Sequence, residues 1–236
     1  MARSVCLITG VGPGTGTALA EKFSCQYDVA MLARDEQRLS SLEERIPGAR
    51  GYRCDVADQA ALMSTLDAVC AQMGDPAIVI HNAVGGGWGE VTDIDPALLE
   101  QNFQVNTMAL LHLARAVAPA MVAAGEGAIV VTGNTSAYRG LANFAGFAPS
   151  KAAQRILAEA IARDLGPKGV HVSYVAIDAV IDLPWTRKLY AGKPDEFFCK
   201  PMDIAAECFR LALQPRSAWS FSSVIRPFGE NWSLNQ

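Results

Sequence analysis

Four glycines near the amino terminus have the spacing of a phosphate-binding turn: Gly10, Gly12, Gly14 and Gly16. They follow the apolar run Val5–Thr9 and precede a helical pattern that places Leu19 and Phe23 on one side. A strand, a glycine turn and a helix in this order direct backbone N–H groups and the helix dipole at an anion. Glycine also leaves room for the anion to approach the backbone. We therefore expect a bound phosphate group here, and a flexible loop without a ligand is the alternative.

The rest of the chain repeats this alternation of strand and helix. Apolar runs predict further strands at 29–33, 49–54, 77–81, 128–132, 170–177 and 222–226. Helical patterns lie between them, at 35–46, 57–73, 96–123, 149–165 and 202–213. Such alternation predicts a parallel sheet with helices on both faces. We expect one α/β domain over residues 1–236, with a doubly wound sheet of about seven strands.

Length and composition agree with one large domain and exclude several classes of function. Of the 236 residues, 50% are hydrophobic and 19% are charged, which is enough apolar surface for a large core. The net charge of −4 and the scattered basic residues argue against a nucleic-acid surface. No apolar run reaches the roughly 18 residues of a membrane span. Because the first strand begins at once and leaves no room for a signal peptide, we expect a cytoplasmic chain.

The six cysteines and three histidines do not suggest a metal site. The chain has no C-x-x-C pair, and no histidine lies near a cysteine with ligand spacing. We therefore expect neither a metal nor a disulfide framework. His81 lies in apolar surroundings and is interpreted as a hydrogen-bonded core histidine, although it borders a loop that follows the fourth strand.

The glycine turn, Thr9-Gly10-x-x-x-Gly14-x-Gly16, resembles the cofactor loop of the short-chain dehydrogenase/reductase family. The resemblance extends from Val5 to about Pro227 through further motifs: Asp55, Asn82-Ala83, Asn106, Lys151 and Gly166-Pro-Lys-Gly. It implies a Rossmann-like fold and an oxidoreductase that uses a nicotinamide cofactor. It also implies that the cofactor contacts Gly10, Gly14, Thr15 and Gly16.

Arg34 follows the second strand, where folds of this kind meet the adenosine ribose of the cofactor. A carboxylate at this point would bind the ribose hydroxyl of NAD and would repel the 2′-phosphate of NADP. This chain has Ala33 and then Arg34, whose guanidinium is suited to a phosphate. We therefore expect NADP(H) to be preferred over NAD(H). An ordinary surface arginine at a helix start is the alternative.

Three further residues match the cofactor site of the family by position. Asp55, followed by Val56, matches the aspartate that contacts the adenine amino group. Asp55 would also serve as the N-cap of a helix at 57–73. Ile181 matches the residue whose backbone receives the nicotinamide carboxamide, although the family's preceding Pro-Gly is replaced here by Asp178-Ala179.

The loop after the fourth strand keeps the middle of the family's Asn-Asn-Ala-Gly motif and changes its edges. Asn82 and Ala83 are retained, with Asn82 able to bridge the backbone across the sheet, while His81 and Val84 differ from the motif. Further on, Asn106 matches the asparagine that distorts a helix and holds a water which relays protons. The alternative for Asn106 is a polar residue paired between helices.

The catalytic positions depart from the pattern of the family. The resemblance implies Tyr-x-x-x-Lys on one helix face, with a serine thirteen residues before the tyrosine. The lysine charge lowers the pKa of the phenol, which exchanges a proton with the substrate oxygen. Counting back from Lys151 puts Phe147 at the tyrosine position and Asn134 at the serine position. Phenylalanine has no proton to donate, Asn134 keeps an amide donor for a carbonyl, and Lys151 is expected to bind the nicotinamide ribose.

Two replacements for the missing phenol stay open. Tyr138, in the loop after the fifth strand, is the nearest phenol in the sequence. Water held by Asn106 and Lys151 is the other candidate proton donor.

Residues 183–201 are predicted to form a lid over the substrate. The segment carries Trp185, Tyr190, Phe197 and Phe198, which suit an apolar or aromatic substrate or else pack on the underside of the lid. The family pairs its subunits through helices equivalent to 98–123 and 149–165. The resemblance therefore implies a homodimer or homotetramer.

Two functions remain open at this point. The first is an NADP(H)-dependent oxidoreductase that acts on a carbonyl or alcohol of a small molecule with an altered proton donor. The second, motivated by Phe147 and Asn134, is a weak or inactive NADP-binding sensor or scaffold protein that retains the fold. A weaker variant of the first is hydride addition to an activated C=C bond, which needs no strong acid.

Overall fold

A parallel sheet of seven strands organises the computed structural model, which describes residues 3–229. The described residues form nine strands: β1 (Val5–Thr9), β2 (Asp28–Ala33), β3 (Ala49–Arg53), β4 (Pro76–His81), β5 (Gly127–Asn134), β6 (Val170–Ile177), β7 (Val180–Ile181), β8 (Phe198–Cys199) and β9 (Ser222–Ile225). The order in the main sheet is β3-β2-β1-β4-β5-β6-β9, and β7 pairs with β8 in a small separate sheet. The expected doubly wound, Rossmann-like fold is confirmed. The ends of the expected domain, 1–2 and 230–236, lie outside the described residues.

Within residues 3–229, eight α-helices connect the strands: α1 (Thr15–Phe23), α2 (Glu36–Arg45), α3 (Gln59–Met73), α4 (Pro96–Phe103), α5 (Ala109–Ala124), α6 (Ala148–Leu165), α7 (Pro184–Leu189) and α8 (Pro201–Ala212). Aspartate side chains cap α2, α3 and α4 by accepting hydrogen bonds from first-turn N–H groups. A side-chain acceptor at this position satisfies a donor that has no partner within the helix. These caps set where the three helices begin.

The sheet separates two apolar clusters, one on each face. One cluster contains Leu62, Leu113 and Ile161, from α3, α5 and α6. The other contains Leu19, Leu42 and Ile204, from α1, α2 and α8. Strands covered on both faces are buried along their whole length and are mostly apolar, as β1 and β6 are. All six cysteines are free thiols.

The N-cap of α3 is not Asp55, the residue that the sequence suggested for this role. The helix predicted at 57–73 begins at Gln59, and its N-cap is Asp58, whose carboxylate accepts from Ala61 N at 3.0 Å. Asp55 instead accepts from Ala57 N at 3.1 Å in the turn before the helix. Asp55 is therefore not the N-cap, because the chain makes one further turn before the helix starts. Its side chain stays at the end of β3.

The pattern predicted as one helix at 96–123 is helical throughout but irregular. Between α4 and α5, residues Gln104–Met108 form a π-helical turn. The combined stretch Pro96–Ala124 has 29 residues, and its most apolar 18-residue window has a mean hydropathy of 1.5, so length and composition alone would let it cross a membrane. Core helices also meet this criterion, and 33% of its most apolar part is buried within the chain.

Candidate active site

A cleft of about 750 Å³ opens at the carboxyl ends of the central strands. The strand order reverses between β1 and β4, and ligands of open parallel sheets bind at such a point. The cleft is lined by the glycine turn, the ends of β2 and β3, the loop after β4, one side of α4, and Ile181 and Leu183. It contains these predicted cofactor residues: Gly10, Gly14, Thr15, Gly16, Arg34, Asp55, Val56, Asn82, Ala83 and Ile181.

The glycine turn needs glycine at two positions for packing. Gly10 has a φ of +70°, and a Cβ there would lie 2.5 Å from Ala83 Cα. A Cβ on Gly16 would collide with the carbonyl oxygen of Gly10, so α1 could not approach the turn. A Cβ on Gly12 would meet no atom within 4 Å. Gly10 and Gly16 therefore shape the turn, while Gly12 faces open space.

The start of α1 carries an unused hydrogen-bonding group. Gly14 is the N-cap and provides no side-chain cap. The Thr15 side chain lines the cleft, and its hydroxyl is buried without a hydrogen-bond partner within the described residues. A hydroxyl and uncapped N–H groups at a helix N-terminus suit phosphate oxygens. The described residues therefore fit the pyrophosphate of a dinucleotide.

Two guanidinium groups border the other end of the cleft. The side chain of Arg34 is 79% exposed, and its Nη1 lies 3.9 Å from Asp55 Oδ2. Arg38, in the first turn of α2, also lines the cleft and contacts Asp35 Oδ2 at 3.1 Å. Arg38 was not among the predicted site residues. Arg38 follows Arg34 by four residues and lies near the start of the predicted helix. This spacing is the signal that would have identified it.

Asn82 ties the loop after β4 to two neighbouring segments. Its Nδ2 donates to Gly10 O at 2.9 Å, and its Oδ1 accepts from Thr132 Oγ1 at 3.0 Å. The backbone of Ala83 lies against Gly10, so residue 10 has no room for a side chain. These contacts hold the loop and the glycine turn together as one wall of the cleft.

His81 is a buried residue whose two ring nitrogens both have partners. Its Nε2 lies 3.3 Å from Asn106 O, which can only accept, so Nε2 carries the hydrogen. Its Nδ1 then accepts from the Thr9 hydroxyl at 3.0 Å. Burial, together with the smaller effect of the Lys151 charge, lowers the pKa of His81 to about 4. His81 is a neutral core histidine at neutral pH, in agreement with its sequence-based interpretation.

Asn106 lies in the π-helical turn and joins three segments. Its Oδ1 accepts from Gly85 N at 2.9 Å, and its Nδ2 donates to Gly85 O at 3.0 Å and to Ser150 Oγ at 2.9 Å. Its backbone carbonyl oxygen accepts from Gln154 Nε2 at 2.8 Å. Asn106 therefore lies in the distorted part of the helix and is paired between helices, while the relay water of the first alternative stays a prediction.

Lys151 is buried below the cleft. Its side chain is 1% exposed, and it is not among the described residues that line the cleft. Its Nζ donates to Thr132 O at 3.3 Å and to Gln154 Oε1. Burial lowers the pKa of the ammonium to about 7. Gln154, which is also fully buried, was missed by the sequence reasoning because its partners are distant in the chain.

Phe147 belongs to an aromatic cluster next to the cleft. Its ring centroid lies 6.1 Å from that of Trp88 and 6.4 Å from that of Phe144. Phe147 is buried, whereas Trp88 is 64% exposed. A Cβ on Gly86, which lines the cleft, would lie 3.9 Å from the Phe147 ring. Phe147, at the position that resembles a catalytic tyrosine, is therefore part of an apolar surface beside the cleft. Trp88, which was not among the predicted site residues, belongs to the same surface.

The remaining predicted catalytic residues do not converge on Lys151. Asn134, at the end of β5, has a buried Oδ1 without a partner in the described part of the chain. The Tyr138 hydroxyl bonds Ser222 Oγ at 2.9 Å, and Arg155 lies over the Tyr138 ring at 4.9 Å. Tyr138 lines a separate cavity of about 540 Å³. Asn134 thus has a free acceptor, while the phenol of Tyr138 is already bonded elsewhere.

The predicted lid is an ordered segment with its own contacts. Arg187 bonds Asp182 with both Nε and Nη2, at 2.6 and 2.8 Å, and lies over the Phe198 ring at 4.1 Å. Phe197 and Phe198 are buried, and Tyr190 packs against Phe197 at 5.6 Å. These three aromatic residues therefore pack within the segment.

Trp185 differs from the other aromatic residues of this segment, because it is 59% exposed. Ile181 and Leu183, on either side of the start of the segment, line the cleft. The carbonyl oxygen of Ile181 accepts from the Thr186 hydroxyl at 2.6 Å. The segment thus begins at the cleft wall and is fixed there by Thr186.

Comparison of the chain with known proteins gives consistent matches. The sequence model of the short chain dehydrogenase family matches residues 4–189. The chain is 27% identical to 7alpha-hydroxysteroid dehydrogenase from Escherichia coli (strain K12), over 94% of this chain and 92% of that protein. It is 31% identical to D-erythrulose reductase from Gallus gallus, over 72% of this chain and 68% of that protein.

Solved structures agree over almost the full length. A metagenomic short-chain oxidoreductase in complex with NADP has a TM-score of 0.82 and 29% identity, over 96% of this chain and 97% of that one. An NAD⁺-bound xylitol dehydrogenase has a TM-score of 0.84 over 95% of this chain and 98% of that one. Its identity is 22%, so this second likeness concerns the fold alone.

Proposed function

The chain belongs to the short-chain dehydrogenase family, and from this we propose that it is an NADP(H)-dependent oxidoreductase acting on a carbonyl or alcohol of a small molecule. The observation that carries the proposal is the unpartnered Thr15 hydroxyl at the uncapped start of α1, inside a cleft shaped by Gly10 and Gly16. A buried, unpaired hydroxyl is costly, and a phosphate bound at this helix start would satisfy it.

The nicotinamide of the bound cofactor supplies or accepts the hydride. The chain's own part is to bind and orient the cofactor: the glycine turn and Thr15 at the pyrophosphate, and Asp55 with Val56 at the adenine. At the other end of the cleft, the backbone of Ile181 receives the carboxamide. The cleft residues support each of these roles by their position.

A preference for NADP(H) over NAD(H) is supported by the two guanidinium groups at the end of β2. The Arg34 side chain is largely exposed, and its ion-pair contact with Asp55 is long, at 3.9 Å. The guanidinium is therefore able to turn towards a phosphate. Arg38 lies at the same end of the cleft. Paired arginines bind phosphate oxygens with several charged donors, whereas a ribose hydroxyl would gain little from them.

The proton step is where this chain differs from its family. Phe147 cannot donate a proton, and we propose that the side-chain N–H of Asn134 donates a hydrogen bond to the substrate oxygen while a water molecule exchanges the proton at that oxygen. Without a phenol as general acid, we expect turnover to be slower by roughly 10²- to 10⁴-fold. Tyr138 is a weaker candidate, because its hydroxyl is bonded to Ser222.

An apolar or aromatic substrate is supported by the aromatic cluster beside the cleft. Trp88 is exposed although it is large and apolar, and it packs against Phe144 and Phe147 at 6.3 and 6.1 Å. Trp185 adds an exposed indole from residues 183–201, the segment that we propose as the lid. An exposed apolar wall beside a polar cleft is typical of a small-molecule site.

We further propose that the protein is a homodimer or homotetramer paired through α5 and α6. Ile156 on α6 is exposed, and only part of the apolar stretch 96–124 is buried within one chain. A cytoplasmic location, without nucleic-acid or membrane partners, stays a prediction from the sequence.

The second candidate function, an NADP-binding sensor or scaffold with little or no turnover, is favoured by Phe147 and by the burial of Lys151. Calorimetric titration with NADPH and NADH, followed by NADPH oxidation with diketones, quinones and aromatic aldehydes, separates the two. Binding with turnover, free of host reductases, supports the oxidoreductase. Binding without turnover over the whole panel supports the sensor, and binding of neither cofactor contradicts both.

A further inference from the structure

Gln154 follows Lys151 on α6, is fully buried, and joins two groups of the site. Its Nε2 donates to the carbonyl oxygen of Asn106 at 2.8 Å, and its Oε1 accepts from Lys151 Nζ. The amide can have only this orientation, because a carbonyl oxygen requires a donor and an ammonium requires an acceptor. The Gln154 side chain therefore bridges Asn106 and Lys151 directly.

The Asn106 carbonyl oxygen leaves no place for a bridging water. Gln154 Nε2 approaches it at 2.8 Å and His81 Nε2 at 3.3 Å. A carbonyl oxygen has two lone pairs, and these two side chains use both. A water at the same oxygen would have to displace Gln154 or His81.

Lys151 is likewise directed into the interior. Its donors face Thr132 O and Gln154 Oε1, and the residue is not among the described residues that line the cleft. A buried ammonium is costly unless it is hydrogen-bonded. Gln154 is the side-chain acceptor that satisfies it, so the two residues hold each other in place.

We propose that Gln154 is a positioning residue that occupies the place of a relay water and keeps Lys151 Nζ away from the cofactor cleft. The inference rests on the proposed function only in taking that cleft as the reaction site. The proton exchanged at the substrate oxygen then does not pass through Lys151. Lysine acetylation followed by mass spectrometry tests this without any need for turnover.

The first arm uses the unchanged protein with an amine-acetylating reagent, with and without NADPH. We expect Lys151 to stay unmodified in both samples, while the exposed Lys168 reacts. The partly neutral amine of Lys151 would react readily if it were accessible, so lack of reaction reports lack of access. Acetylation of Lys151 at a rate similar to that of Lys168, or protection of Lys151 by NADPH, would overturn the proposal.

The second arm compares Gln154→Met with Gln214→Met. Methionine keeps the length of the side chain and removes both hydrogen bonds, and Gln214 is a glutamine bonded to Ser220 away from the site. We expect the rate of Lys151 acetylation to rise by about tenfold in Gln154→Met. Loss of a hydrogen bond to a charged group changes an equilibrium by at least about this factor, and here it would favour conformations in which the amine is accessible. No rise should occur in Gln214→Met. Equal rates in the two variants would contradict the role of Gln154.

The third arm separates positioning from simple packing. It uses two variants, Phe147→Tyr alone and Phe147→Tyr combined with Gln154→Met. In each, the pKa of the introduced phenol is measured from its near-ultraviolet absorbance, with the unchanged protein as the reference for the other tyrosines. We expect its pKa to fall only in the combined variant, by about one unit, because only there is Lys151 free to approach. An equal pKa in both variants would overturn the proposal. If Gln154→Met does not fold, the first arm still tests whether Lys151 is withdrawn from the cleft, and failure of NADPH oxidation affects only the proposed function.

Discussion

Arg226 Nη2 lies 2.8 Å from the buried carboxylate of Asp178, and this ion pair joins the residues after β9 to the end of β6. Asp178 also accepts from Thr135 Oγ1 at 3.0 Å, beside Asn134. The pair therefore fixes the strand end that carries one wall of the proposed site. Replacing Arg226 by methionine leaves a buried carboxylate without its cation.

We expect Arg226→Met to lower the free energy of unfolding by about 3 kcal/mol, because breaking a buried ion pair leaves an uncompensated charge. Urea denaturation measures the change. The double variant Asp178→Asn/Arg226→Met removes both charges and should recover much of the loss. A single variant as stable as the unchanged protein would show that solvent reaches Asp178.

Lys151 gives a second prediction, on stability against pH. Burial lowers its pKa in the folded chain to about 7 from the ordinary 10.5, so the folded chain binds fewer protons than the unfolded chain between these values. Stability should therefore rise with pH from 7 to 10.5, and the cost of burial is fully present below pH 7. The two pKa values correspond to a rise of about 5 kcal/mol.

The measurement is the free energy of unfolding at several pH values, for the unchanged protein and for Lys151→Met. The difference between the two curves isolates Lys151 from the other groups that titrate at high pH. Curves that stay parallel from pH 7 to 10 would mean that Lys151 is charged and solvated in the folded protein.

The two arginines at the end of β2 give a prediction on cofactor preference. We expect Arg34→Ala and Arg38→Ala each to weaken NADPH binding by about tenfold, since each removes charged hydrogen bonds to a phosphate. NADH binding should change little. Arg45→Ala, which removes an exposed arginine paired with Glu21 outside the cleft, is the matched control. Equal losses for NADPH and NADH would place these arginines away from the 2′-phosphate.

Two glycines of the same turn should respond differently to alanine. Gly12→Ala meets open space, so we expect its stability to stay within about 0.5 kcal/mol of the unchanged protein while cofactor affinity falls. Gly10→Ala has a left-handed φ and would push against Ala83, so we expect it to lower stability by more than about 1 kcal/mol. Thermal unfolding and NADPH titration measure both effects. A Gly12→Ala protein with normal NADPH affinity would argue against a pyrophosphate at this turn.

The fold was accessible from the sequence because its signals are local. Buried parallel strands are apolar along their length, and glycine, proline and aspartate mark the turns and caps between them. The bounds of β1 and β6 agree with the predicted ones, and the glycine turn lies where its spacing indicated. The N-cap of α3 could not be placed from the sequence, because Asp55 and Asp58 are both suited to that position. Only the path of the turn before the helix decides that Asp58 is the N-cap.

The chemistry of the site was less accessible, because it depends on contacts between distant residues. Gln154 bonds a carbonyl 48 positions earlier in the chain, and in the sequence it is simply a polar residue in a helix. Trp88 joins Phe147 across a loop, and no periodic pattern indicates this contact. The family pattern located Lys151 but could not show that its side chain is buried, since burial depends on which neighbours accept its hydrogen bonds.

The π-helical turn at Gln104–Met108 accommodates one extra residue without changing the rotational phase of the helix that follows it. Such a turn holds one residue more than a regular helix would, and each residue turns an α-helix by about 100°. In a regular helix one additional residue would rotate the inward-facing leucines of α5, Leu110 and Leu113, away from the sheet; the wider turn takes that residue up, and both leucines stay buried. The extra residue is therefore what allows one continuous helix to present Asn106 to the site and its apolar face to the core.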